Sequence, residues 1–560
     1  MTSLFPCSRS RTIAVVAGLY VGSTGCGSGD TSPTPTIDCA GVTTTALAVG
    51  VQAIIDPAPQ HGCLRLPPAG PQGAEHLVVA LSAAGQVTAN GIQGEFTLEA
   101  TTDTFGPAAL RRPGVAVGPL TSAASSFDLL LRQRERGYAR DRRMTRAAVM
   151  SSDLRAPPVV GDQRSFKVCQ TTSCTSFVSV GATARFIGVH GAIFLDDTVP
   201  AGGYSQAEID SIGGLFEQYL YPIDTTAFGR ESDIDGNGVV IILLTDRINA
   251  LSPNCAQSGQ VITGYFFGLD LLADPNSNGG EIFYSMVPDP TRPTCFGKAF
   301  ARKTLGGTFI HEFQHMISYN RHVLLGGGEA EETWLNEGLS HLAEELGGRQ
   351  VPDAFCPTTN CLTQFSRGDL LNAYDYLRSP ESQALIEAGT STGTLQERGA
   401  NWLFVRWLAD QSPTDSALGT DLTRRLTGAA SPGGLAITGA ANVVSAAALF
   451  QSGVTFTTLL SQWHLANYAE SRSGFTDPSG RLQYRSWDLA ATFSTLFVFP
   501  YPLRPDSIDG SAYLATGTLR GGSGVYLRVV QDPNGPPVAL GLTVNNSGAV
   551  QPRYAVVRLR

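Results

Sequence analysis

The pentapeptide His311-Glu312-Phe313-Gln314-His315, followed by Glu337 within Trp334-Leu335-Asn336-Glu337-Gly338-Leu339-Ser340-His341, constrains this chain more than any other feature. An α-helix turns once every ~3.6 residues, so His311 and His315 project from one face and their imidazoles can share one metal ion. Glu312 falls beside that ion without binding it. A zinc ion used for hydrolysis takes three protein ligands and keeps a fourth position for water. Glu337 is the expected third ligand, so two helical segments must meet inside the molecule. The competing reading is a buried or solvated histidine pair with no metal.

The flanking residues favour the metal. Phe309, Ile310, Phe313 and Ile317 form an apolar stripe at helical spacing, and Gly306 and Gly307 mark close packing against a neighbour. Downstream, Glu331 to Leu346 reads as a helix stopped by Gly347-Gly348, with Trp334, Leu335, Leu339, Leu342 and Leu346 facing inward. Glu329, Glu331 and Glu332 lie near its start, where acidic side chains complement the helix dipole. Gly338, next to Glu337, lets another backbone approach. A metzincin pattern would need a glycine and a histidine where Ser318 and Arg321 stand, with His322 one place out.

HEFQHM followed by WLNEGLSHLAEE resembles the gluzincin clan, whose third ligand is a Glu on the next helix. The longer pattern is most similar to the hyicolysin-type neutral zinc metallopeptidases, over about residues 160 to 475. GVHGAIFLDD, FGRESDIDGNGVVIILLTDRIN and GYFFGLDLL carry the upstream part of the likeness. The resemblance implies an α+β fold with a zincin-like catalytic domain, comprising a mixed sheet, the HExxH helix and a helical second subdomain. It also implies that His311, His315 and Glu337 hold zinc while Glu312 acts as general base on a zinc-activated water. Such families add a Tyr or His for the oxyanion, and Tyr374, Tyr376, His464 and His341 all remain candidates. His341 stands where thermolysin-like enzymes place an Asp that orients a zinc histidine; it either orients a ligand or is an ordinary surface histidine. The Gly-x-Met-Glu-Asn signature of membrane-alanyl-type aminopeptidases is absent, which favours an endopeptidase.

Asp233-Ile234-Asp235-Gly236-Asn237-Gly238 matches the first half of a calcium loop, with Asp233, Asp235 and Asn237 as candidate ligands. The twelfth position, which should be Glu, is Leu244. The run Val239 to Leu244 reads as a buried strand, so a turn leading into that strand is the favoured reading.

The N-terminus reads as an export signal. Arg9 and Arg11 precede an apolar stretch from Thr12 to Val21, and Gly22-Ser23-Thr24-Gly25-Cys26 resembles a bacterial lipoprotein cleavage site with Cys26 lipidated. Plain secretion is the alternative. Residues 27–36 read as a flexible tether. Ten cysteines less Cys7 and Cys26 leave eight, and proximity pairs Cys39 with Cys63, Cys169 with Cys174, Cys255 with Cys295 and Cys356 with Cys361. No apolar run reaches the ~18 residues of a spanning helix. The net charge of −9 invites no nucleic acid.

Between these landmarks, 37–122 reads as an N-terminal β-domain and 123–159 as an Arg-rich helical linker, either solvated or a protease-sensitive junction. Residues 160–489 form the metallopeptidase domain and 490–560 a C-terminal β-sandwich-like domain. Within the catalytic region, Ser205 and Glu208 form a capping box, Val261–Leu272 and Glu281–Val287 read as strands, and Gly399–Glu470 is helical. In gluzincin-like folds one such strand pairs with extended substrate. The expected function is that of an exported zinc endopeptidase acting on proteins outside the cytoplasm. The rivals are an aminopeptidase-like exopeptidase and a surface-binding protein with a retained metal site.

Overall fold

The apolar run after the Asp/Gly/Asn turn becomes the strand Val240–Leu244, buried at every residue. It runs parallel to Gly191–Asp196 on one side and to Ile282–Ser285 on the other. Strands flanked by parallel partners are covered on both faces, which is why this one reads as a continuous hydrophobic run. Ile242, Leu244 and Phe283 point into one core cluster, while Ile241, Leu243 and Tyr284 point into another. The sheet order is Gly264–Phe266, Ile282–Ser285, Val240–Leu244, Gly191–Asp196, Phe177–Ile187, Gln163–Cys169, and Gly264–Phe266 forms an antiparallel edge. Only these three residues of the expected Val261–Leu272 strand pair, because Gly268–Leu271 coils into a 3-10 turn.

In this computed structural model the described residues are 38–560 except 40, 102–108, 112–119, 121, 142–154, 259, 357, 391–392, 414, 416–417, 470–471, 473 and 510–511. The expected signal 1–26 with Cys26, the tether 27–36, and Arg142, Arg143 and Arg146 lie outside them. Among the described residues no helix is long and apolar enough to cross a membrane. The overall class is mixed α+β.

The helix Lys298–Tyr319 lies on one face of this sheet, with the Phe309 ring 5.2 Å from that of Phe283. Thr333–Gln350 packs beside it, followed by Cys361–Leu377 and Leu395–Asp410. Gly338 is required at that crossing: a Cβ there would stand 2.8 Å from the Asn401 carbonyl oxygen and 2.7 Å from Val405 Cγ2. Gly306 plays the same part against the Phe365 ring, 2.6 Å from its would-be Cβ. The Ser205/Glu208 capping box starts the helix Gln206–Leu215. Among the described residues four disulfides join the cysteines paired above by proximity.

The two terminal β-regions are not separate. One sheet has the order Gln52–Ile55, Pro552–Arg558, Ala74–Ser82, Gly524–Gln531, Asp506–Ile508. The facing sheet has the order Cys63–Leu66, Val538–Val544, Gln93–Thr101, Tyr513–Arg520, Ala109–Arg111. Ala74–Ser82 and Gln93–Thr101 each lie between two strands from the other end of the chain. A strand's alternation tells which face is buried but not which strand lies beside it, so the division into 37–122 and 490–560 hid a single sandwich.

The Arg-rich segment also departs from the solvated linker. Residues Ala123–Arg140 form a helix capped by Ser122, with Phe127 and Leu131 buried against the far face of the six-stranded sheet. Arg132, buried and 3.0 Å from Glu135, donates to the Phe266 carbonyl at 2.6 Å, and Gly268 N–H donates to Glu135 at 2.7 Å. Arg134 reaches the Cys174 carbonyl and Arg136 pairs with Glu329 at 2.8 Å. The arginines are spent on backbone carbonyls and carboxylates, which composition alone does not disclose.

Three buried histidines give the fold an acid sensitivity. Burial pushes His76, His322 and His464 down to about 4 from 6.5. A base whose pKa is lowered by folding binds its proton more readily when unfolded, so stability present above pH 6.5 is lost as pH falls toward 4. His464 donates or accepts at both ring nitrogens, with Tyr526 Oη at 2.7 Å and the Gly522 carbonyl at 3.0 Å. His464→Gln is expected to destabilise the protein at neutral pH, with the gap to the parent closing by roughly 3 kcal/mol as pH falls to about 4. Urea unfolding of both proteins at the two pH values measures this; a gap independent of pH rejects it.

Candidate metal centre

His311 and His315 sit one turn apart on the inner face of Lys298–Tyr319, and Glu337 faces them from Thr333–Gln350; all three are buried. His311 Nε2 and His315 Nε2 are 3.1 Å apart, and each stands 3.6 Å from an oxygen of Glu337. Neither Glu337 oxygen has a hydrogen-bond partner. Bonds of ~2.1 Å at a tetrahedral ion separate neighbouring donors by about 3.4 Å. The three donors, which lie within 4.8 Å of one another, therefore fit a zinc ion with little adjustment.

Charged groups hold this arrangement in place. Arg398, from Leu395–Asp410, sets Nη1 3.2 Å from Glu337 and Nη2 3.1 Å from Asp128. Burial alone would push the Glu337 carboxyl up, but Arg398, His315 and His311 together hold it well below the usual range. Glu344 accepts from His311 Nδ1 at 2.9 Å and from His341 Nδ1 at 3.0 Å through one oxygen. Asp369 meets the same His341 nitrogen at 2.8 Å. Burial works against charge on His341, yet Asp369 and Glu344 carry the imidazole up to about 9. Ser340 Oγ lies 3.0 Å from His315 Nδ1 and donates to Gln314 at 2.5 Å. Each histidine of the pair is thus fixed at the nitrogen facing away from Glu337.

Glu312 accepts Phe266 N–H at 2.7 Å, and burial pushes its carboxyl up to about 7 against the pull of His311. His311, Glu312, His341, Glu344 and Arg398 line a cleft of about 610 Å³ whose wall includes Gly264 of the edge strand and Thr263 just before it. That volume suits a small-molecule or peptide site. The helix Ala123–Arg140 contributes Ala124 and Asp128 to the wall.

The other sequence candidates part company here. Of the four groups considered for the oxyanion, His341 lines the cleft, its ring centre 5.0 Å from that of His311. Tyr376 stacks on Trp463, Tyr374 packs against Phe493 and Phe499, and His464, on the helix Phe456–Ala469, bonds Tyr526 and Gly522 of the β-sandwich. Glu331 is buried and bonds Gly439 N–H and Asn442 rather than complementing a solvated helix start. Asn237 is bonded within its own turn, donating to Asp235 and accepting Val239 N–H at 2.7 Å. Sequence reasoning missed Glu344 although a signal was there: Glu337, His341 and Glu344 share one helix face at i, i+4 and i+7. Asp128, Asp369 and Arg398 come from three other helices and carry no local signal.

No model of a known protein family matches the chain. Over 210 residues the chain is 28% identical to the neutral metalloprotease ShpI of Staphylococcus hyicus. That alignment covers 37% of this chain and 47% of the relative, about half its length. The likeness supports a metallopeptidase relationship.

Proposed function

We propose that this chain is a zinc-dependent endopeptidase of gluzincin type, similar to the hyicolysin-type enzymes, acting on proteins outside the cytoplasm. The observation that carries the reading is the convergence of His311, His315 and Glu337 on one point beside Glu312 in a single cleft. His311, His315 and Glu337 would hold the ion. When bound, zinc polarises the scissile carbonyl and makes a water molecule more acidic. Glu312 takes the proton of the attacking water and passes it to the leaving amine, while the Phe266 N–H at 2.7 Å keeps its carboxyl in place. Arg398 keeps Glu337 ionised, and Glu344 and Ser340 orient the two imidazoles. The edge at Gly264 offers backbone groups for an extended peptide, and the zincin-like region would run over 160–489. Export rests on the signal-like residues 1–26 with Cys26 as a lipid attachment site, and on the four disulfides.

The missing amine-capture signature favours an endopeptidase over the exopeptidase reading. Purified protein is expected to cleave casein and N-terminally blocked peptides, to lose this activity in 1,10-phenanthroline and to regain it with zinc chloride. Cleavage confined to peptides with a free N-terminus would favour the aminopeptidase, and zinc binding without any turnover would favour the binding protein.

A further inference from the structure

A second group of carboxylates stands apart from the cleft, and it arises from parallel pairing. Val240–Leu244 and Ile282–Ser285 run side by side, with Ile241 opposite Ile282. Their first residues are therefore neighbours, and Glu281, just before the second strand, is brought against the turn Asp233–Gly238 just before the first. Ile241 N–H donates to the Glu281 carbonyl at 2.7 Å. Positive φ at Gly236 and Gly238 folds the turn back on itself. One carboxylate oxygen from each of Asp233, Asp235 and Glu281 lies within 4.8 Å of the others.

Glu281 supplies the second observation. It is 1% exposed, so its carboxylate has left water. One oxygen accepts Ser232 Oγ at 2.5 Å and Ile234 N–H at 3.0 Å; the other, Oε2, is buried with no hydrogen-bond partner. An orphaned buried carboxylate oxygen is costly unless it is neutralised or coordinates a cation. Arg155 pairs with Asp235 Oδ2 at 3.1 Å and offsets one of the three charges. Oxygens bound to calcium at about 2.4 Å lie no more than about 4.8 Å apart, and the three here fall within that limit.

We propose that Asp233, Asp235 and Glu281 hold a calcium ion, with Glu281 from the neighbouring strand taking the place of the acidic residue that Leu244 denies the loop. Hard oxygen donors with no nitrogen or sulfur suit calcium, and a loop of this irregular shape suits it better than magnesium, which demands a near-octahedral shell. The ion would pin the starts of two central strands beneath the helix that carries His311, so its effect is on stability and not on the chemistry of the cleft.

The test uses the full-length protein, stripped of calcium on a chelating resin and reloaded with zinc, which is then titrated with calcium chloride. The expected result is uptake of one calcium per chain with unchanged zinc content and a raised thermal unfolding midpoint. Glu281→Gln should weaken calcium uptake by on the order of tenfold or more and abolish the rise in midpoint. Asp233→Asn, at an exposed position that folding tolerates, should weaken it as well. The proposal is overturned if the zinc-loaded parent takes up no calcium, if both variants bind it as the parent does, or if magnesium chloride raises the midpoint equally.

Discussion

Replacing Glu312 by Gln is expected to leave zinc bound and to lower the turnover of casein or a blocked peptide by about 10²–10⁴-fold. Gln has the same shape and keeps an oxygen for the Phe266 N–H, so the helix and the edge strand stay where they are. The side chain is buried, and its charge is the part that burial disfavours, so the neutral amide should hold stability or raise it slightly. What the amide lacks is the capacity to take a proton from water. Kinetics, zinc content and thermal unfolding measured on one preparation separate the three quantities. Retained turnover would remove Glu312 from the chemistry, and lost zinc would mean that it serves the metal.

Glu337→Ala should cost both the metal and much of the stability. The substitution removes one of three zinc donors and leaves Arg398 buried with Asp128 as its remaining acidic partner at this site. Breaking a buried charge pair from one side costs about 3–5 kcal/mol. Chemical unfolding in the presence of chelator isolates that loss from the contribution of bound zinc. The double variant Glu337→Ala/Arg398→Met should recover part of the stability and none of the zinc, because the orphaned charge is gone while the donor is still missing. Full zinc binding by Glu337→Ala would show that another carboxylate is the third donor, with Glu344 the nearest alternative on that helix.

How much of this was legible beforehand follows the range of the interactions. Helical spacing put His311 and His315 on one face and pointed to Glu337 on the next helix, and these three do converge. Pairings between nearby cysteines and the Ser205/Glu208 cap were equally local and are present. His341, Tyr374, Tyr376 and His464 could not be ranked, because a residue's type says what it can do and not where the chain carries it. Three of the four turned out to serve packing away from the cleft.

By itself the sequence determined what depends on helical period, strand alternation and short loops: the histidine pair, the buried strand Val240–Leu244 and the caps. Only the tertiary structure decided which distant segments meet. It joined strands from the two chain ends into one sandwich, turned the Arg-rich stretch into a packed helix, and brought Arg398 to Glu337 and Glu281 to Asp235. The reason is physical: helical hydrogen bonds and turns close over a few residues, whereas strand partners and buried charge pairs are chosen by whichever remote surface removes apolar area and orphaned charge from water.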